Sequence, residues 1–283
     1  MGEGAREPSL FVVATPIGNL KDITLRALET LREADVIAAE DTRQTAKLLA
    51  AHGIEGKSLV SLHAHSSARA REKLVERMVA GERVALVTDA GTPSVSDPGG
   101  EIVRAAIAAD VRVVPIPGPS AAIAALTASG LAEDAGFRFV GFLPRDGTAR
   151  ARAIALVAST PEPVVMYESP ERAAHTLREL SDAMPTRRAC VAREITKVHE
   201  ELARGTLAEL AERRDAWRGE ITIVLGAWEP AAREDAIDDA AIDARIDAEL
   251  ATGAHAKTIA ERLAAWSGRS RREIYERVIR RKG

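Results

Sequence analysis

One cysteine, Cys190, stands in 283 residues. That excludes an intrachain disulfide and any zinc site built on cysteines. No run approaches about 18 uncharged apolar residues, so no membrane span is expected. The segment Met1–Pro8 carries Glu3, Arg6 and Glu7 and has no apolar signal core. Together these absences lead us to expect a cytoplasmic chain in a reducing compartment. A dominant charge sign is missing too. The 39 Lys+Arg and 42 Asp+Glu leave a net charge of −3. This rules out a uniformly basic coat for nucleic acid and a strongly acidic solvating chain, but not a local patch.

Several nucleotide and hydrolase signatures are absent. No loop reads GxGxxG or GxxxxGK[ST], so neither a Rossmann dinucleotide site nor a P-loop is indicated. The GxSxG elbow of a hydrolase is also lacking. His63-Ala64-His65 could set two imidazoles on one strand face, but no third ligand is placed by spacing, and no metal is expected.

What is present is a repeated alternation of short apolar runs and amphipathic stretches. Hydrophobic residues make up 46% of the chain; 54 residues are alanine, and the bulkier remainder still suffices for a core. Strands are predicted at Leu10–Ala14, Val36–Ala39, Leu59–Leu62, Arg83–Thr88 and Val111–Ile116. The intervening helices cover Thr24–Ala34, Thr42–Ala51, Ala68–Ala80 and Glu101–Ala109. Such alternation argues for an α/β fold with a mostly parallel sheet covered on both faces. Pro115-Ile116-Pro117-Gly118-Pro119 is a stiff connector, and the alternation resumes after it. Further strands are predicted at Phe137–Gly141, Val164–Tyr167, Ala189–Arg193 and Glu220–Gly226. Helices are predicted at Ser120–Ser129, Ala149–Ser159, Glu171–Ala183 and Thr206–Asp215. We read two α/β domains, 9–117 and 118–230, and a helical tail over 231–283.

The tail hides a charge dipole inside the near-neutral total. Residues 233–249 hold seven acids and two bases; residues 250–283 hold nine bases and three acids. Ala256–Trp266 and Arg271–Arg280 read as helices around Ser267-Gly268-Arg269-Ser270, with Ser270 as N-cap and Glu273 at the third helical position. The outline is that of a helix-turn-helix, or equally of a solvated helical hairpin.

Chemistry is expected where loops leave strand ends. Thr88–Gly100 (TDAGTPSVSDPGG) follows a strong strand and precedes a helix, and the C-terminal edge of an α/β sheet is where ligands bind. Asp89, Ser94, Ser96 and Asp97 add polar groups; a structural turn with a helix cap near Asp97 is the plain alternative. Thr15-Pro16-Ile17-Gly18-Asn19 and Pro117–Ala121 leave two other strands. A site with carbonyls and acids but no phosphate cradle suits a cationic or neutral ligand. Charged clusters at Ala39–Arg43, Tyr167–Arg172 and Ala192–Lys197 each read singly as solvated loops, but together they favour a shared cleft.

These motifs together are similar to a known family. ATPIGNLKDIT at Ala14–Thr24, AEDTR at Ala39–Arg43 and DAGTPSVSDPG at Asp89–Gly99 resemble the tetrapyrrole methylases, S-adenosylmethionine-dependent methyltransferases of class III. PGPSAAIAALTASGL at Pro117–Leu131, GFLP at Gly141–Pro144, YESPER at Tyr167–Arg172 and AREITK at Ala192–Lys197 narrow the resemblance. They point to the branch that methylates the 2′-oxygen of a decoding-region cytidine in 16S rRNA. Glu171 and Ile195 depart from the pattern, where His and Leu are usual. The resemblance implies two domains with S-adenosylmethionine bent into the cleft between them. Pro16 would wall one side, and Asp89, Ala90, Gly91 and Thr92 would line the donor. Ser120 and Ala121 would lie near its polar groups, and Met166 and Tyr167 would approach from the second domain. Lys197, Glu194, Arg193 and Glu168 are the candidates for catalysis, Lys197 either as a base with depressed pKa or as a cation steadying the oxyanion. The partners implied are 16S rRNA or the small ribosomal subunit, and a second copy in a homodimer. Two rivals are a precorrin-type methyltransferase and, in another class, a ligand-sensing DNA-binding regulator.

Overall fold

The structure, a computed structural model, describes residues 7–63, 66–96, 99–133, 136–213, 217–228, 239–267 and 269–282. The chain forms two compact units, Met1–Trp228 and Glu229–Gly283.

The first unit contains two sheets. The first sheet holds β1 (Ser9–Val13), β2 (Val36–Ala39), β3 (Ser58–Ser61), β4 (Arg83–Val87) and β5 (Arg112–Ile116), in the order β3-β2-β4-β1-β5. Every pairing in it is parallel. The connecting helices are α1 (Leu25–Glu33), α2 (Thr42–Ala51), α3 (Ala68–Val79) and α4 (Gly100–Ala108). Their starts follow capping chemistry: Thr24, Asp41 and Ser67 side chains accept from the N–H groups of Ala27, Arg43 and Ala70. Alternate strand residues feed two cores. Leu10, Val84 and Leu86 pack with Leu74, Met78 and Ile102 on one face; Val13, Ala85 and Val87 pack with Leu31 and Leu49 on the other. Burial on both faces is what a parallel sheet requires.

The second sheet differs from the expected parallel repeat. It contains β6 (Arg138–Phe142), β7 (Val164–Glu168), β8 (Arg188–Arg193), β9 (Glu201–Thr206) and β10 (Ile221–Leu225), in the order β6-β7-β10-β8-β9. Only β6 and β7 run parallel. The reason is β9, which the apolar pattern did not reveal because its ELARGT sequence is polar and glycine-containing. The short 194–200 segment turns the chain straight back beside β8, a connection open only to antiparallel neighbours. Between these strands lie α5 (Ala121–Ser129), α6 (Gly147–Ala158), α7 (Pro170–Ala183) and α8 (Leu207–Ala211). The last is shorter than expected, and it opens with a capping box between Thr206 and Glu209.

Helix α5 belongs with the second sheet. Ala122, Ala125 and Leu126 pack on Val165, Cys190, Ala192 and Val224. Burial pushes the Cys190 thiol up, which keeps it inert. On the other face, Leu177, Leu180, Met166, Val191 and Ile223 form a larger core. Arg187 is wholly buried there, donating to the carbonyls of Gly226, Val157 and Glu162 at 2.9, 3.0 and 2.9 Å. Burial lowers its guanidinium pKa to about 10.

The second unit is α9 (Asp239–Ala251), α10 (Ala256–Ser267) and α11 (Arg271–Lys282) around Ile242, Ile246, Ile259, Leu263, Ile274 and Val278. Helix α9 falls within the tail expected to be helical, but as a separate helix it has no sequence signal beyond its acids. The acids have a structural use. Asp239 pairs with Arg269 and Arg277 at 3.0 and 2.6 Å, and Asp243 and Asp247 pair with Arg281 at 3.0 and 2.5 Å. The tail's opposed charge segments thus neutralise one another in part. The Ser270 hydroxyl accepts from the Glu273 N–H at 3.2 Å, as the capping pattern predicts.

Candidate active site

Loops from β1, β4 and β5 meet at one edge of the first sheet because those strands are neighbours. Thr15 and Gly91 exchange backbone hydrogen bonds of 2.8 and 3.0 Å. The Thr92 hydroxyl donates to the Pro119 carbonyl at 3.1 Å, and the Thr15 hydroxyl to the Thr88 carbonyl at 3.2 Å. Gly118 passes so close to Ala14 that a Cβ there would lie 3.0 Å from the alanine methyl. A side chain there would require Ala14 to give way.

This edge faces the second sheet across a cavity of about 600 Å³. That volume falls within the usual range for small-molecule sites. Ala90, Gly91, Thr92, Ser120 and Ala121 line it from the first side. Tyr167, Glu194, Ile195, Lys197 and Glu220 line it from the second. The halves also touch directly. The Asn19 N–H donates to the Thr196 hydroxyl at 3.1 Å, and a Cβ on Gly18 would lie 2.5 Å from Lys197 Cγ.

Lys197 is the most constrained charge in the cavity. Its Nζ donates to Glu194 Oε1 at 2.9 Å and lies 3.0 Å from Glu220 Oε2. Burial works against its charge, but the hydrogen bonds and negative charge of the two glutamates outweigh it and raise the pKa above the ordinary lysine value. Of the two roles considered for Lys197, the cation is therefore the one this geometry favours. Glu194 also accepts the Glu220 N–H at 2.8 Å, and that bond, with the ammonium, lowers its carboxyl pKa. Glu194 and Thr196 sit at φ of 50° and 69°, a left-handed conformation that side chains resist. The surrounding contacts hold this strained loop in place.

The other expected residues divide. Glu168 borders the cavity, but its carboxylate is fully buried and engaged. It accepts from Ser169 N–H at 2.8 Å and the Thr176 hydroxyl at 2.6 Å, and pairs with Arg172 at 2.5 Å. Both oxygens are engaged and the side chain has no exposed surface, which sets it in a structural role. Arg193 is not among the lining residues; strand alternation turns it to Glu201, 3.0 Å away. Met166 is wholly buried in the core on the opposite face of its sheet. Pro16 is buried, and its neighbour Ile17 takes the lining position. Asp89 does not line the cavity; its Oδ1 accepts the Asp41 N–H at 3.0 Å. Desolvation, with the charges of Glu40 and Asp41, raises its carboxyl pKa. Asp97 lies outside the described residues, and the residue capping α4 is Gly99.

Gly219, Glu220 and Thr222 were missed. In a parallel sheet, sites lie at the C-terminal ends of strands. Because β10 is antiparallel to β7 and β8, its N-terminal end lies at the same edge as their C-terminal ends, with Ile221 beside Glu168 and Arg193.

Residues 9–211 match the model of the Tetrapyrrole (Corrin/Porphyrin) Methylases. A protein of Mesorhizobium japonicum named ribosomal RNA small subunit methyltransferase I is 44% identical over 277 residues, covering 96% of this chain and 92% of its own.

The chain belongs to the ribosomal RNA small subunit methyltransferase I family of tetrapyrrole methylases.

Another relative of that name, from Neisseria meningitidis serogroup B, is 41% identical over 96% of this chain and 93% of its own. The fold is shared more widely than the family. Cobalt precorrin-4 methyltransferase superposes with a TM-score of 0.59 at 20% identity, over 77% of this chain and 95% of that one. Uroporphyrin-III C-methyltransferase from Thermus thermophilus, solved with S-adenosyl homocysteine, gives 0.56 at 23%, over 77% and 97%. Among the described residues, no group of three or more His, Cys, Asp or Glu could hold a metal, and no helix is long and apolar enough to cross a membrane.

Proposed function

We propose that the cavity binds S-adenosylmethionine and that the protein transfers its methyl group to the ribose 2′-oxygen of a decoding-region cytidine in 16S rRNA. The coarser activity, S-adenosylmethionine-dependent methylation of ribosomal RNA, follows from family membership. The observation that carries the finer reading is Lys197, a fixed cation held between two carboxylates on the wall of a donor-sized cavity.

The lining suits the donor. Helix α5 starts at the cavity, and the N–H groups of its first turn have no helical carbonyl to reach. Those groups, with the Ser120 hydroxyl, fit a carboxylate. Ile17, Val95, Ile195 and Ile221 offer an apolar slot for a base. When bound, the donor supplies an electrophilic methyl on a sulfonium. The chain's own residues would orient the ribose and stabilise negative charge on its 2′-oxygen. The Lys197 ammonium serves the second task, lowering the cost of losing the hydroxyl proton to solvent as the O–CH3 bond forms and the S–CH3 bond breaks, leaving S-adenosylhomocysteine. Glu194 and Glu220 hold the ammonium protonated and aimed.

In this reading, residues 9–117 and 118–230 bracket the donor and 231–283 form an RNA-facing tail. The working unit is a homodimer in the cytoplasm, and light scattering of the purified protein tests the dimer. Incubation with donor and unmethylated small subunits, followed by nuclease digestion and mass spectrometry, tests the reaction. A 2′-O-methylcytidine from the decoding region is expected. Methyl groups on base carbon, or turnover of a precorrin alone, would overturn the reading.

A further inference from the structure

The helical unit has its own cleft, lined by Lys257, Arg271, Arg272 and Tyr275. Helix α11 is two-faced in charge as well as in hydropathy. Ile274 and Val278 are buried, and Arg277 and Arg281 lie against the aspartates of α9. Arg271, Arg272 and Tyr275 sit away from the α9-paired arginines around α11, and Arg271 and Tyr275 are neighbours at i, i+4. Tyr275 is 43% exposed and the Arg272 side chain 90%. Arg271 and Arg272 do have acidic neighbours, Glu261 at 2.5 Å and Glu276 at 3.1 Å. These are exposed pairs, which cost little to exchange for phosphate.

We propose that this cleft is a binding site for single-stranded RNA, with a base stacked on Tyr275 and adjacent phosphates held by Lys257, Arg271 and Arg272. An exposed aromatic ring among cations is the combination that single-stranded nucleic acid uses: a π-face for any base and charge for the backbone. Guanidinium groups match phosphate oxygens in pairs. The α9 aspartates sharpen the site by neutralising the inward arginines. Arg277 and Arg281 are thereby committed to α9, and the cations beside the ring are Lys257 and the exposed, exchangeable Arg271 and Arg272. The proposal rests on the rRNA methyltransferase reading for its choice of RNA over DNA.

The test uses the full chain and unmethylated small ribosomal subunits from a strain lacking the enzyme. Filter binding is measured at low and at physiological salt. Tyr275→Ala is expected to weaken binding about tenfold with the salt slope unchanged, and Tyr275→Phe to bind as the wild type does. The double variant Lys257→Ala/Arg272→Ala is expected to weaken binding and to flatten the salt slope by about 0.7 per lost phosphate contact. Calorimetry with S-adenosylmethionine should give wild-type donor affinity for every variant, and thermal melts followed by circular dichroism report whether the helical unit still folds. Wild-type subunit binding by both the Tyr275→Ala and the double variant would overturn the proposal. Equal affinity for a duplex DNA, lost in the same variants, would overturn the assignment to RNA. Failure of the wild type to methylate the subunits would instead count against the functional reading.

Discussion

Glu194 Oε1 accepts two hydrogen bonds at once, from Lys197 Nζ at 2.9 Å and from the Glu220 N–H at 2.8 Å. One carboxylate therefore ties the 194–200 loop to the start of β10 and aims a cation into the cavity. The loop's left-handed residues are the conformational cost of that arrangement.

Replacing Lys197 should affect transfer and not donor binding. Lys197→Ala is expected to lower kcat about 100-fold or more, the scale for losing a group that stabilises a developing oxyanion. Lys197→Arg should retain part of the rate, because it keeps the charge but not the geometry. Single-turnover methylation of small subunits, with calorimetry of the donor alongside, separates the two effects. An unchanged rate in Lys197→Ala would remove this residue from the mechanism.

The pH dependence of the pair follows from its shifts. Glu194 has a lowered pKa, so its contribution to stability is present above the usual glutamate range and is lost as pH falls through the folded value. Lys197 has a raised pKa, so its contribution is present below the usual lysine value and is lost as pH rises through the folded value. Between those limits the ammonium persists. The transfer rate should therefore show no acid-to-base step from lysine deprotonation across neutral and mildly alkaline pH. A rate that climbs with a lysine-like pKa below the ordinary value would favour the base role.

Gly219 and Gly18 set the position of this pair by giving it room. A Cβ on Gly219, at φ +76°, would strike the Glu194 carboxylate, and one on Gly18 would strike Lys197. Each Gly→Ala change is expected to cost about 1–3 kcal/mol of stability by overpacking and to lower kcat. Thermal melts and transfer assays on soluble variants check both effects. Wild-type rates in Gly219→Ala would show that the loop tolerates displacement.

Arg187→Met tests the second core. It would leave two buried carbonyls, at Val157 and Gly226, and the part-buried one of Glu162 without this donor. A loss of about 3 kcal/mol is expected, read from denaturant unfolding.

The helical unit should be acid-sensitive. Hydrogen bonds from Arg277 and Arg281 lower the Asp239 and Asp247 pKa values. Their contribution is present above the usual aspartate value and is lost as pH falls through the folded ones. Calorimetric melts at neutral and strongly acid pH, at low and high salt, should show this unit's transition falling with acid and with salt. A transition indifferent to both would make the aspartate–arginine ladder decorative.

Much of the first sheet could be read from the residues alone. Val36–Ala39 and Thr42–Ala51 stand where the pattern placed them, because buried parallel strands and capped amphipathic helices leave strong periodic signals. Strand β9 and helix α9 did not, since polar edge residues and acids give no apolar period. The cavity's first wall was legible as glycine-rich strand ends. Its second wall was half legible, because reading Glu220 as a site residue requires knowing that β10 runs antiparallel. Side-chain direction was the other blind spot. Tyr167 lines the cavity, while Met166 and Arg193, close in sequence to lining residues, face away through the two-residue alternation of strands.

The most direct test is a mass-spectrometric map of 16S rRNA from strains with and without this gene. Loss of 2′-O-methylcytidine from the decoding region in the deletion strain is predicted, with restoration by the wild-type gene and not by Lys197→Ala. An unaltered decoding-region methylation pattern in the deletion strain would contradict the account.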